Sequence, residues 1–344
     1  MTNILIIYTG GTIGMVNDPN TGVLKPFDFP HIVDNVPELK RLNYQITVQS
    51  FKPVIDSSNM TPEIWIELAQ KVEQHYNAFD GFVILHGSDT MAYSASALSF
   101  LLEGLSKPVV FTGSQLPIGE IRTDAKENLI TALEIASAKK DGKPRVPEVC
   151  VYFDYQLFRG NRSIKYSSSQ FEAFASPNYP LLAEAGVHLH FHDANILTCN
   201  NCPLKVHKQL ESSIAVLKLY PGIDESTVSA ILNADAKAVI METFGSGNAS
   251  TQPWFLNALQ KAITKGKIIL NISQCAVGTV EQGRYDTSIA LKEMGVVNGY
   301  DMTFEAAVTK LMFLLGQEMP TAEIIRLLET DLRGEISKSN NVLN

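Results

Sequence analysis

The chain has 344 residues, of which 45% are hydrophobic and 19% charged, with a formal net charge of −8. That length suits two domains, each with its own core, and the negative charge disfavours nucleic acid or an anionic membrane as the main partner. No apolar stretch is long enough to span a bilayer, and four scattered cysteines do not make a disulfide framework.

The first predicted element begins almost at once, without the basic, apolar and small-residue succession of a secretory leader, so a cytoplasmic location is expected. Asn3 to Tyr8 is an Ile-rich run that reads as a strand buried on both faces. It enters Thr9-Gly10-Gly11-Thr12-Ile13-Gly14, where adjacent glycines open backbone angles closed to other residues. Thr12 offers the first side chain beyond them. In an open α/β sheet, ligands gather outside the carboxyl ends of strands, which is where Thr12 would lie. The same stretch nearly matches the dinucleotide fingerprint G-x-G-x-x-G, with Thr9 in place of the first glycine. That fingerprint needs a helix directly afterwards, whereas Met15 to Gly22 is rich in turn residues and reads as a loop.

A strand is predicted from Gln45 to Phe51, followed by the polar cluster Asp56-Ser57-Ser58-Asn59. Thr61 is placed to cap the next helix, with Pro62 at its first position and Ile64, Trp65, Leu68 and Val72 on one face. Strand Gly81 to His86 empties into Gly87-Ser88-Asp89-Thr90, and a helix follows from Met91 to Leu102. Strand Pro108 to Thr112 ends in Gly113-Ser114-Gln115 before a helix from Ala125 to Ala138. Strand, polar glycine turn and helix, repeated, predict a doubly wound parallel sheet. Strand Glu148 to Asp154 then leads towards Phe158-Arg159-Gly160-Asn161-Arg162-Ser163-Ile164-Lys165. No histidine is consistently placed to serve the hydroxyls of the turns, but Lys165, lying beyond a strand, reaches the same rim. Taken alone it would read as a solvated surface charge.

From His188 the strand–helix rhythm breaks, so residues 188–212 are read as a linker between a domain at 1–187 and another at 213–344. His188, His190 and His192 alternate there, and Cys199 and Cys202 form a C-x-x-C with His207 beyond. One such pair is too little for a zinc site, and no metal is expected. The second domain is predicted as strands at 214–220, 236–243 and 267–273 with helices at 225–232, 253–264, 288–294, 304–315 and 321–332. It is a smaller βα domain, with a fraying tail.

A threonine hydroxyl attacks a carbonyl only when a neighbour removes its proton. A neutral lysine can do so, with Ser88 as relay and Asp89 orienting Lys165 or holding a substrate ammonium group. That set suits acyl transfer through an oxyanion held by backbone N–H groups.

Thr9 to Gly14 and His86-Gly87-Ser88-Asp89-Thr90-Met91-Ala92-Tyr93 resemble the two signatures of the bacterial-type L-asparaginase family. The resemblance runs on through Asp56 to Met60, Thr112 to Gln115, Arg159 to Arg162 with Lys165, and Gly245-Ser246-Gly247-Asn248, and is greatest to the cytoplasmic type I enzymes. It implies a two-domain α/β fold with a flavodoxin-like second domain, and hydrolysis of L-asparagine to L-aspartate and ammonia without metal or cofactor. It also implies that Thr12 is the nucleophile and that Ser88, Asp89 and Lys165 form the catalytic set. Asp89 would also bind the substrate's α-amino group, and Ser57 and Ser58 its α-carboxylate. Asn248 would complete a neighbouring subunit's site in a homodimer or homotetramer. The chain departs from the family pattern where Ser88 replaces a threonine and where Gly22-Val23-Leu24 lacks a tyrosine found over the nucleophile. Two other functions share the fold. One is an ammonia-releasing amidotransferase subunit, from which an N-terminal extension is expected. The other is a non-enzymatic amino-acid-binding protein, which would not need Thr12, Asp89 and Lys165 together.

Overall fold

A computed structural model of the chain describes residues 2–17, 24–26, 36–198, 203–283 and 286–337. Two compact units divide between Lys208 and Gln209.

The first unit is built on an eight-stranded sheet. Its strands are β1 (Thr2–Tyr8), β2 (Tyr44–Ser50), β3 (Gly81–Leu85), β4 (Val109–Thr112), β5 (Val149–Phe153), β6 (Gln156–Arg159), β7 (Ala183–Ala185) and β8 (Leu189–Phe191). They lie in the order β8-β7-β6-β5-β4-β3-β1-β2. From β2 to β5 every pairing is parallel, and their order, 2-1-3-4-5, is that of flavodoxin-like sheets. Ile4 to Tyr8, Phe82 to Leu85 and Val109 to Phe111 are all fully buried, as expected of strands covered on both faces. The strand order reverses between β1 and β3, and a ligand crevice belongs at that switch point.

Three helices bear on the site. The α1 helix (Pro62–His75) buries Trp65, Leu68, Ala69 and Val72, with Thr61 and Pro62 at its start as anticipated, although the Thr61 side chain makes no capping bond. The α2 helix (Met91–Leu101) is buried nearly all round and carries Ser94, Ser96 and Ser99 within its apolar surface. These small side chains admit close neighbours. The turn at Gly160–Arg162 packs so tightly on α2 that a Cβ on Gly160 would stand 3.2 Å from Ala95 Cβ. Helix α3 (Ala125–Ser137) completes the layer around the core that includes Ile4, Ile6, Leu129 and Leu133.

Three features differ from the sequence reading. First, β6, β7 and β8 extend the sheet by antiparallel pairing, so only part of it is the predicted parallel array. Second, the segment read as a linker from 188 to 212 supplies β8 to the sheet edge, and Lys205–Val206 pairs with Leu102–Glu103. The compact unit thus runs on to Lys208, because these short strands find backbone partners rather than crossing solvent. Third, Thr12–Gly14 is a single 3-10 turn followed by strand Met15–Asn17, paired with Leu24–Pro26. The expected loop therefore begins as a hairpin arm, and a strand stands where a dinucleotide site would require a helix.

The second unit is a parallel four-stranded sheet of β9 (Ile214–Lys218), β10 (Ala238–Thr243), β11 (Ile268–Ser273) and β12 (Val297–Asn298), in that order. Its helices are α4 (Glu225–Asn233), α5 (Pro253–Thr264), α6 (Asp286–Glu293), α7 (Phe304–Leu315) and α8 (Thr321–Leu328). Asp224 caps α4 by accepting from Thr227 N at 2.7 Å, and Thr303 caps α7 by accepting from Ala306 N at 3.1 Å. The segment after α8 is tied down by Lys310, whose Nζ lies 2.6 Å from Glu335 Oε1 with both side chains wholly buried. Removing either partner of such a pair alone costs about 3 kcal/mol or more, because a buried charge is left behind. No helix among the described residues is long and apolar enough to cross a membrane.

Candidate active site

The site is assembled where the loops leaving β1 and β3 meet. Thr9 N donates to Leu85 O at 3.0 Å, which carries the β1–β3 ladder one residue past the strand. Beyond it the chain turns at Gly10 (φ 145°) and Gly11 (φ 93°). A Cβ on Gly11 would come within 2.6 Å of Gly87 Cα, and one on Gly10 within 2.1 Å of Ile55 O. Both glycines are therefore required for approach as well as for backbone angle. The approach of Gly11 to Gly87 sets the half-buried Thr12 turn against the turn that carries Ser88 and Asp89.

Ser57 belongs to the same junction. It is buried, its carbonyl accepts from Thr90 Oγ1 at 2.6 Å, and a Cβ on Gly87 would lie 2.4 Å from its hydroxyl oxygen. Ser58 differs. It is exposed, and its hydroxyl donates to Asp56 Oδ1 at 2.7 Å while its N–H reaches the same oxygen at 3.0 Å. Those two bonds hold the Asp56 carboxyl below its usual range. Ser57 is thus built into the junction, and Ser58 is exposed with its hydroxyl bonded within a local capping turn.

Lys165 reaches Ser88 and Asp89 from a distant part of the chain. It sits in the short strand Ile164–Lys165, paired with Phe174–Ala175. Upstream, Arg159 is held by a 2.7 Å bond from its Nε to Glu148, by the Asn195 carbonyl and by the Tyr179 ring. Ser163 closes the following turn by donating to Gly160 O at 3.0 Å. Because that turn rests on α2, and Ser88–Thr90 leads directly into α2, one helix supports both halves of the constellation. Lys165 Nζ lies 2.9 Å from Ser88 Oγ and 2.5 Å from Asp89 Oδ1. The lysine side chain is 17% exposed and that of Asp89 66%, so the carboxylate stays open to solvent while paired.

Behind Ser88, His86 is buried and neutral. Its Nδ1 is 2.7 Å from Gly87 O, which can only accept, so Nδ1 carries the proton. Nε2 must then accept from Ser94 Oγ at 2.8 Å, and that hydroxyl in turn accepts from Trp65 Nε1 at 2.8 Å. Burial pushes the His86 pKa down to about 4. The histidine therefore serves the turn as a structural strut rather than as a base.

Gln115 also reaches the site, although nothing in the sequence assigns it a part there. Its Oε1 accepts from Ser88 Oγ at 3.4 Å, and its backbone N–H binds Asp124 Oδ2 at 2.9 Å. The only sequence signal was position, since Gln115 follows β4, the strand beside β3.

Asn248 lies in the second unit, in the turn after β10, where Phe244 and Asn248 exchange backbone bonds of 2.8 and 2.9 Å. Cys199 and Cys202 lie outside the described residues. His190 stands opposite Glu184 in the β7–β8 ladder, and His192 Nε2 is 3.0 Å from Glu184 Oε2. Among the described residues no group of His, Cys, Asp and Glu side chains is arranged to hold a metal ion.

Comparison with known proteins places two family descriptions on the chain: "Asparaginase, N-terminal" over residues 3–197 and "Glutaminase/Asparaginase C-terminal domain" over residues 213–328. The chain is 42% identical to L-asparaginase 1 of Escherichia coli K12 over 97% of its own length and 98% of that protein's. The structure superposes with a TM-score of 0.90 on L-asparaginase I from Vibrio cholerae, at 39% identity, covering 98% of this chain and 99% of that one. A probable cytoplasmic L-asparaginase from Campylobacter jejuni matches with a TM-score of 0.78 at 25% identity, over 95% of this chain and 99% of that one.

Proposed function

This chain belongs to the asparaginase family, and we propose on that premise that it hydrolyses L-asparagine to L-aspartate and ammonia. The observation that carries the reading is the bonding of Lys165 to both Ser88 and Asp89, in the turn that abuts the one bearing Thr12.

In the proposed reaction Thr12 Oγ1 attacks the side-chain amide carbon. Its proton passes through Ser88 to a neutral Lys165 as the new C–O bond forms. The carbonyl electrons move to oxygen, and the resulting oxyanion is stabilised by backbone N–H groups. Thr12 and Ser88 each open a one-turn helix, whose first N–H groups have no partner within the turn. Collapse expels ammonia, with the proton returned to the leaving nitrogen, and leaves an acyl ester on Thr12. Water then attacks that ester and releases aspartate. Asp89, largely exposed, keeps one oxygen for the substrate's α-ammonium group, while the Ser57 hydroxyl suits the α-carboxylate.

The working unit in this proposal is a cytoplasmic homodimer or homotetramer in which Asn248 of one subunit completes the site of another. The name of the Campylobacter relative supports the location. Incubation of the purified protein with L-asparagine tests the activity: ammonia and aspartate are expected in equal amounts, with L-glutamine run in parallel. No release from L-asparagine would contradict the proposal.

A further inference from the structure

We infer that Gln115 is a positioning residue that fixes the side-chain rotamer of Ser88, and so the place of its Oγ, a restraint otherwise supplied by a threonine methyl. The inference rests on the reading above, in which Ser88 passes a proton to Lys165.

A serine hydroxyl has three rotamers open to it, whereas the branched Cβ of threonine narrows the choice. Among the described residues, Ser88 Oγ bonds to two side chains, Lys165 Nζ at 2.9 Å and Gln115 Oε1 at 3.4 Å. At rest Lys165 donates to the Ser88 oxygen and Ser88 donates to Gln115 Oε1; in the relay the proton turns about the Cβ–Oγ bond to a neutral Lys165 while Oγ keeps its place. The Gln115 amide cannot turn round. Its Nε2 donates at 2.9 Å to the carbonyl of Gln170, a group that only accepts, so Oε1 is left facing Ser88.

The base of this side chain is as firmly held as its tip. Gln115 N–H binds both oxygens of Asp124, at 2.9 and 3.1 Å, and Leu116 N–H reaches the same carboxylate at 3.2 Å. Asn128 Nδ2 joins Asp124 at 3.2 Å and also binds Gly113 O at 3.0 Å. Asp124 and Asn128 belong to the start of α3, so the loop carrying Gln115 is fastened to a helix at three points. A contact of 3.4 Å adds little strength, and its effect is directional: it selects one serine rotamer. A methyl on the same Cβ would select it sterically. The two devices are thus alternatives, and their effects on turnover are not additive.

A double-mutant cycle tests this. Wild type, Gln115→Leu, Ser88→Thr and the double variant are compared for kcat and KM with L-asparagine. Gln115→Leu is expected to lower kcat by roughly tenfold in the serine background, with KM moved by less than about twofold. With Ser88→Thr present the same change should cost less than about twofold. Equal losses in both backgrounds, or no loss in either, overturn the proposal. Crystal structures of the four proteins give a second readout that needs no turnover: the Ser88 side chain should occupy more than one rotamer in Gln115→Leu alone. A single unchanged rotamer in that variant also overturns the proposal. Failure of the wild type to release ammonia would sink the functional reading separately, while the rotamers would still decide the role of Gln115.

Discussion

Lys165 Nζ and Ser88 Oγ stand 2.9 Å apart, although 77 residues separate them in the chain. The strand leading to Lys165 and the turn carrying Ser88 are both fastened to α2, so the pair is preorganised. Lys165→Met retains the apolar stem and removes the amine. Its kcat should fall by about 10³-fold or more at every pH tested, with KM for asparagine affected less. Activity retained with an unchanged pH profile would return Lys165 to an ordinary surface charge.

Ser88 is predicted to matter through its oxygen alone. Ser88→Thr keeps the donor and acceptor and should change kcat by no more than about tenfold. Ser88→Ala cuts the contact to Lys165 and should be far worse. Similar rates for the two variants would remove the hydroxyl from the mechanism.

His86 predicts a pH dependence of stability rather than of catalysis. Its folded pKa is about 4, below the usual 6.5, so the unfolded chain takes up a proton first as pH falls. The stabilisation is complete above the unfolded value and is lost between about pH 6.5 and pH 4. Between about pH 7.5 and pH 5, denaturant titrations should show about 2 kcal/mol of stability lost through this group. In His86→Gln the loss over the same interval should be smaller by about that amount. Identical pH dependence in both proteins would mean that His86 is not held neutral.

The parallel βα repeat was legible because each buried strand ran into a polar glycine turn, and this put Thr12, Ser57, Ser88 and Asp89 near one rim. Strands β6 to β8 were not legible, because three or four residues carry too little alternation to be told from loop. Residues 188–212 consequently looked like a linker. Ser57 and Ser58 are adjacent hydroxyls in the sequence, and the structure separates them by the burial of Ser57 against Gly87 and by the bonds from Ser58 to Asp56. Gln115 was missed because its role depends on contacts with Ser88 and Gln170, residues 27 and 55 positions away.

The proposed assembly makes a prediction of its own. Thr12→Val and Asn248→Ala should each be weak, yet unfolding and refolding them together should restore activity well above either parent. In a mixed dimer one site regains both native residues, as expected when each subunit lends the same segment to its partner. No gain despite proven mixed dimers would place Asn248 in its own subunit's site or in none.

The central claim is that Thr12 is the nucleophile of an asparagine hydrolase. The initial rate of ammonia release from L-asparagine, measured for wild type and for Thr12→Val, tests it most directly, with circular dichroism showing that both are folded. Valine keeps the branched shape and deletes the oxygen, so kcat should fall by about 10³-fold or more. A folded Thr12→Val protein that turns over asparagine at near the wild-type rate would contradict the account.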